Sequence, residues 1–292
     1  MKANPTSKGD QEIKHCCAQL YESDIARRLL GDSFHPGGLQ LTERLGSLLQ
    51  LNAESRVLDV ASGTGVSALF VARRFGCQVT GIDVSRKNVL RANEAAMTQG
   101  LAAQVQFQCS DAEQMTFADA CFDAVICECA FCTFPDKAAA AAEFARVLEP
   151  GGVLGLSDLT RAPVLTDQLQ GLLAWIACIA DAQNTERYGA YLRAAGFTLI
   201  DVEIHDEALV EMANQIRMKL LGAELMAGIK KLTLPGVDFS KAKQLVKVAL
   251  DAIRDGHLGY AIITGMRSDV GSTGTVKSQD EAATTIAEAP RR

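Results

Sequence analysis

The sequence predicts an α/β chain built on a doubly wound sheet, and three observations carry that prediction. Strand-like and helix-like runs alternate from Arg56 to Asp158. A small-residue loop, Ala61-Ser62-Gly63-Thr64-Gly65, joins the first of these strands to the first of the helices. An acidic residue, Asp83, closes the next strand, eighteen positions after Gly65. Such alternation implies right-handed crossovers and a parallel sheet with helices on both faces. A strand, a tight turn and a helix N-terminus in that order let backbone approach a nucleotide-like ligand closely.

Each element follows from its own pattern. Met1 to Lys14 is polar, and His15 to about Leu30 reads as a helix. Gly31-Asp32-Ser33-Phe34-His35-Pro36-Gly37-Gly38 is an octet of turn-forming residues. Leu41, Leu45, Leu48 and Leu49 recur at helical spacing, so a helix over Leu39–Leu51 precedes the first strand. The alternating series is then Arg56–Ala61, Val66–Arg74, Gln78–Asp83, Arg86–Thr98, Val105–Cys109, Ala124–Cys129, Lys137–Leu148 and Val153–Asp158. Pro150-Gly151-Gly152 reads as the turn into the fifth strand. Thr166 to Ala195 is helical in pattern, and Phe197 to Ile204 reads as a strand. A helical stretch from Glu207 to about Asp255 is broken around Leu234-Pro235-Gly236, and Gly259 to Gly265 reads as the last strand. From Ser268 onward the composition is that of a disordered tail.

Composition bounds the function. At 292 residues with 48% apolar content, the chain can bury a sizeable core. Its longest apolar run, Gly171 to Ala180, is too short to span a bilayer, so no membrane partner is expected. A net charge of −6 argues against a nucleic-acid partner. Met1 to His15 does not resemble an export leader, and nine cysteines without one are expected to be reduced thiols in a cytoplasmic protein. The odd count also disfavours a complete disulfide framework.

Two cofactors compete for the glycine loop. Gly63-Thr64-Gly65-Val66-Ser67-Ala68 satisfies a loose dinucleotide pattern, and Asp83 is placed to accept ribose hydroxyls. Both features suit NAD and S-adenosylmethionine equally. Asp59 separates them, because its carboxylate suits the cationic amino group that S-adenosylmethionine has and NAD lacks. Val57-Leu58-Asp59-x-Ala61-x-Gly63-x-Gly65 resembles the first motif of class I S-adenosylmethionine-dependent methyltransferases, with Ala61 where that family usually has glycine. The resemblance implies a Rossmann-like seven-stranded sheet ending in an antiparallel pair, here separated by a helical insertion. It also implies an adenine-binding turn at Cys109-Ser110-Asp111-Ala112-Glu113, with Asp111 accepting from the adenine amino group. The expected organisation is an N-terminal segment and active-site loop over 1–38 and a cofactor-binding methyltransferase domain over 39–205. The helical insertion and last strand then occupy 206–267, and a tail 268–292.

Cys127-Glu128-Cys129-Ala130-Phe131-Cys132 falls at the C-terminal end of the fourth strand, the edge where ligands of such sheets bind. Cys129 stands six residues before Pro135-Asp136-Lys137, and Cys178 lies in Trp175-Ile176-Ala177-Cys178. These segments resemble arsenic methyltransferases, in which two such cysteines hold As(III). The resemblance implies Cys129 and Cys178 as catalytic thiolates and a small-molecule substrate, a trivalent arsenical. Soft thiolates select soft centres, and an arsenic lone pair attacks a methyl group without any base. The cysteine-free stretch from Tyr21 to Val57 departs from enzymes that take inorganic arsenite. It leaves Cys132, Cys16 or Cys17 as candidates for a third thiolate.

Blander readings stand beside these. Cys77, Cys109 and Cys121 read as core residues, and Cys127 as buried packing. Cys127, Cys129, Cys132 and Cys178 lack the spacing of a usual zinc site, so no metal is expected. His35, beside Pro36-Gly37-Gly38, is a loop histidine or a substrate-side residue in a loop that closes over the donor, together with Tyr21 and Asp32. A second enzymatic reading transfers methyl to a small organic thiol, hydroxyl or carbon acceptor. It needs a base, for which His35 and Glu128 are the first suspects. A third is a metalloid-binding protein without turnover.

Overall fold

The computed structural model describes residues 35–163, 179, 181–228 and 238–268. Helix α1 (Gly38–Leu48) leads into β1 (Arg56–Val60), α2 (Val66–Phe75), β2 (Gln78–Asp83), α3 (Arg86–Thr98) and β3 (Val105–Cys109). Next come β4 (Phe122–Glu128), a 3₁₀ turn (Phe131–Thr133), α4 (Lys137–Val147) and β5 (Leu148–Arg161). The remainder is α5 (Thr185–Ala194), β6 (Phe197–Ile204), α6 (Asp206–Gly228), α7 (Phe239–Arg254) and β7 (Leu258–Arg267). The expected helix over 15–30, the first half of the octet 31–38, Cys16, Cys17 and Cys178 lie outside the described residues.

The strands form one seven-stranded sheet in the order β3-β2-β1-β4-β5-β7-β6. β1 to β5 pair in parallel, while β7 is antiparallel to both β5 and β6. This is the expected doubly wound sheet with its antiparallel closing pair, and α6 and α7 occupy the chain between β6 and β7. Central strands read as continuous apolar runs because helices cover both faces: Val57, Leu58, Val125, Ile126, Leu154 and Leu156 are all buried.

Several boundaries differ from the expected ones: residues 181–184 of the helix expected over Thr166–Ala195 are not helical, α5 beginning at Thr185, and two further differences bear on the site. β5 begins at Leu148, so Pro150-Gly151-Gly152 lies inside the strand instead of before it. The pairing with β4 shifts register between Phe122 and Ala124, and the strand crosses the glycines as an irregularity. β4 ends at Glu128 because Cys129 turns into the left-handed region at φ 51°.

Candidate active site

The loop after β1 is built from left-handed residues: Ala61 at φ 57°, Gly63 at 55° and Gly65 at 83°. A Cβ strains that conformation by about 1–2 kcal/mol, which is a physical reason for glycine to be preferred where this chain has Ala61. The two glycines do different work. A Cβ on Gly63 would meet nothing within 4 Å, so that side of the loop is open to a ligand. A Cβ on Gly65 would stand 2.5 Å from the Phe107 ring and 3.0 Å from Ala92. Gly65 is therefore required by packing of the chain against itself at the start of α2.

Asp83 is drawn into the same loop. Its Oδ2 accepts from the Gly63 amide at 2.9 Å and its Oδ1 from the Ser85 amide at 2.7 Å. The Ser62 amide donates to the Ile82 carbonyl at 2.9 Å, so β2 and the loop are stitched together. Asp111 follows β3, accepts from the Glu113 amide at 3.0 Å and bridges to Gln114, and Ala112 beside it is buried.

Asp59 is 2% exposed, and its Oδ2 is a buried oxygen without a hydrogen-bond partner. Burial first, then the carboxylates of Glu128 and Asp83, push it well above the ordinary carboxylate range. Glu128 is close because Asp59 is in register with Ile126 and Glu128 lies two residues further, on the same face.

Around Glu128 the structure assembles a buried polar centre. Thr42 of α1 donates to its Oε2 at 3.0 Å, and Ser157 of β5 to its Oε1 at 3.4 Å. Tyr260 of β7 donates in turn to Ser157 Oγ at 3.1 Å. His35 is buried with them, its Nε2 3.5 Å from Glu128 Oε2 and its Nδ1 3.2 Å from the Pro36 carbonyl. His35 and Glu128, named separately from the sequence, are thus brought together. Thr42, Ser157 and Tyr260 were missed, although each is a hydroxyl inside an otherwise apolar pattern.

The thiols divide. Cys129 is partly exposed just past Glu128, and its amide donates to the Ser157 carbonyl at 2.6 Å. Cys132 does not suit the substrate-binding role given to it: it is fully buried, and both its amide, at 2.8 Å, and its thiol engage Asp158. The same buried cluster includes Tyr188, which donates to the Leu159 carbonyl, and Lys137, which pairs with Asp181. Its effect is to fix the turn after β4. Cys77 and Cys127 are buried as expected. Cys109 is exposed because β3 is an edge strand, so it is not the core residue it resembled, whereas Cys121 is half-buried and packs against the core.

The residues present match the charge and shape of a cationic nucleotide-like ligand: an orphaned buried carboxylate oxygen, and a glycine whose Cβ position is open. Residues 58–156 match the family described as a methyltransferase domain. The chain is 31% identical over 271 residues to an O-methyltransferase, cnsE, of Penicillium expansum, spanning 85% of this chain and 91% of that one. The chain belongs to the class I S-adenosylmethionine-dependent methyltransferases. S-adenosylmethionine is the cofactor of this methyltransferase. It is also 27% identical over 263 residues to 27-O-demethylrifamycin SV methyltransferase of Amycolatopsis mediterranei, covering 85% of this chain and 94% of the relative. Among solved structures, phosphoethanolamine N-methyltransferase 2 of Haemonchus contortus superposes with a TM-score of 0.75 at 19% identity, over 88% of this chain and 60% of that one. The [4+2]-cyclase SpnF superposes with a TM-score of 0.70 at 24% identity, over 92% and 99%. Both likenesses are of fold, and they span different chemistries on one scaffold. Among the described residues, no helix is long and apolar enough to cross a membrane.

Proposed function

We propose that this methyltransferase transfers methyl to the hydroxyl of a small organic molecule, with the His35–Glu128 pair handling the acceptor's proton. The observation that carries this reading is the pair itself, 3.5 Å apart and buried at the C-terminal edge of β4 beside Asp59. A hydroxyl is a poor nucleophile until it loses its proton, and a positioned base contributes about 10²–10⁴ in rate. In this reading His35 Nε2 takes that proton while Nδ1 donates to the Pro36 carbonyl, which fixes the ring. Glu128, held by Thr42 and Ser157, stabilises the imidazolium that forms. Relatives described as O-methyltransferases, over most of both chains, support the same acceptor class.

The cofactor, when bound, supplies an electrophilic sulfonium methyl. Asp59 would receive its amino group, the Ala61–Gly65 loop would face it with Gly63 and Gly65 shaping the turn, and Asp111 with Ala112 would take the adenine. Asp83 fixes the loop through the Gly63 amide.

The second reading, transfer to a thiolate-bound trivalent arsenical, keeps Cys129 at the site's edge and needs Cys178, which lies outside the described residues. Against it, Cys132 is closed off, and a base pair stands where an arsenic lone pair would need none. The test incubates the protein with S-adenosylmethionine carrying a labelled methyl group and, separately, catechol, a macrolactone polyol, phosphoethanolamine, arsenite and monomethylarsonous acid. Labelled ether product supports the proposal. Methylated amine or arsenical with no ether overturns it.

A further inference from the structure

Three carboxylates meet beside the cofactor loop, and they are not equivalent. Asp83 accepts two backbone amides, at 2.9 and 2.7 Å. Glu128 accepts from Thr42 and Ser157 and faces His35. Asp59, between them on β1, keeps one buried oxygen without a hydrogen-bond partner. The Ala68 amide serves the carboxyl only in part. Two of the three are therefore furnished with donors as anions, and one is not.

We infer that Asp59 makes the cofactor site selective for a cationic ligand by proton exchange: in the free protein its carboxyl holds a proton, which the ligand's ammonium group displaces. The inference rests on the assignment of Asp59 to the cofactor's amino group. The exchange balances simply. The Asp59 O–H bond breaks, its proton leaves to solvent, and the carboxylate left behind pairs with an ammonium that keeps all its own protons. No electron moves and no co-reactant is required. A neutral ligand of the same shape would meet a neutral acid and gain no ion pair, whereas a cation turns the unfavourable crowding of three carboxylates into attraction.

The titratable groups facing Asp59 come from every strand beside it: Asp83 on β2, Glu128 and Cys127 on β4, with His35 reaching the site through Glu128. Burial raises its proton affinity, and the neighbouring carboxylates of Glu128 and Asp83 raise it further. The thiol of Cys127 is itself pushed up by burial and stays neutral. His35 is turned toward Glu128 and so does not supply Asp59 with a cation.

The experiment titrates the full chain calorimetrically with S-adenosylhomocysteine, which has the ammonium but not the sulfonium. It is run near pH 6.5, where an α-amino group is still protonated, in buffers of different ionisation enthalpy. The expected result is release of about one proton per ligand bound, and an affinity that rises about tenfold per pH unit over the same range. Infrared difference spectra of the same titration show loss of a protonated-carboxyl band. That band is absent from Asp59→Asn before any ligand is added, so a weakly binding variant still reports. Binding without proton release and without loss of the band overturns the proton exchange and leaves the methyltransferase reading intact. Failure of the unaltered chain to bind S-adenosylhomocysteine overturns the cofactor assignment itself.

Discussion

His35 Nε2 and Glu128 Oε2 stand 3.5 Å apart, one from the segment before α1 and the other at the end of β4, with both side chains out of solvent. Their meeting ties a residue of a turn-forming octet to the C-terminal edge of the sheet. Replacing His35 by Gln keeps a side chain of similar reach but removes the base that the proposed reaction requires. Methyl transfer to a hydroxyl is expected to fall about 10²–10⁴-fold, with S-adenosylhomocysteine affinity unchanged. Steady-state kinetics and calorimetry on the one variant check both halves.

Tyr260 donates to Ser157, and Ser157 to Glu128, a chain of hydroxyls pointing one way into a carboxylate. Each donor is buried, so its loss leaves a partner short and is expected to cost about 1–3 kcal/mol. Tyr260→Phe and Ser157→Ala should each lower the urea midpoint. Their effects should couple with Glu128→Gln by about 0.5–3 kcal/mol in a double-mutant cycle, because all three share one network. Independent effects would show that the chain does not act as a unit.

The cofactor loop was legible in the sequence because its signals are local: an acid, small residues and a strand-to-helix change within ten positions, Val57 to Val66. The sheet was legible because alternation is local too. The Tyr260–Ser157 contact was not, since it joins positions 103 residues apart through an antiparallel pairing that no local pattern announces. Cys129 was misjudged as a strand residue for a related reason. Its left-handed φ of 51° ends β4, and nothing in a Cys-Ala-Phe-Cys run predicts that turn. The need for glycine at Gly65 was likewise not local, because its close neighbour Phe107 is brought in by β3.

Ala61 holds φ 57° in a position that favours glycine. Ala61→Gly removes that strain, about 1–2 kcal/mol, but adds backbone freedom to the unfolded chain, about 0.4–1 kcal/mol. The first term is the larger, so the variant should melt slightly higher. Differential scanning calorimetry decides it, and a lower melting point would place the strain elsewhere.

Asp158 is buried beneath the turn after β4, and burial pushes it up to about 6 despite hydrogen bonds from Cys132 and Leu159. A raised carboxyl binds more protons folded than unfolded, so this group's contribution to stability falls as pH rises from about 4 to about 6. The loss is of the order of 3 kcal/mol, from about two pKa units at 1.36 kcal/mol each. Asp158→Asn cannot titrate, so its urea stability should vary less between pH 4 and pH 7 than that of the unaltered chain. Equal slopes would remove Asp158 from the pH response.

Cys129 is the one thiol of the Cys127–Cys132 run that reaches partial exposure at the site, and it separates the two acceptor chemistries. If the acceptor is a hydroxyl activated by His35, the sulfur is a neighbour of the reaction without a part in it. Cys129→Ser should then retain methyl transfer to within about threefold, in line with the small changes that a near-isosteric swap outside the chemistry produces. If the acceptor is a trivalent arsenical, the sulfur is a ligand of the reacting atom. A hydroxyl there is a hard donor with little affinity for a soft centre, so transfer should be lost while S-adenosylhomocysteine still binds. His35→Gln inverts the pattern, since arsenic carries no proton to remove. Assayed side by side with an arsenical and a hydroxylated acceptor, the two variants should each silence one chemistry and spare the other. Loss of ether formation in Cys129→Ser, with the fold intact by circular dichroism, would tell against the hydroxyl reading.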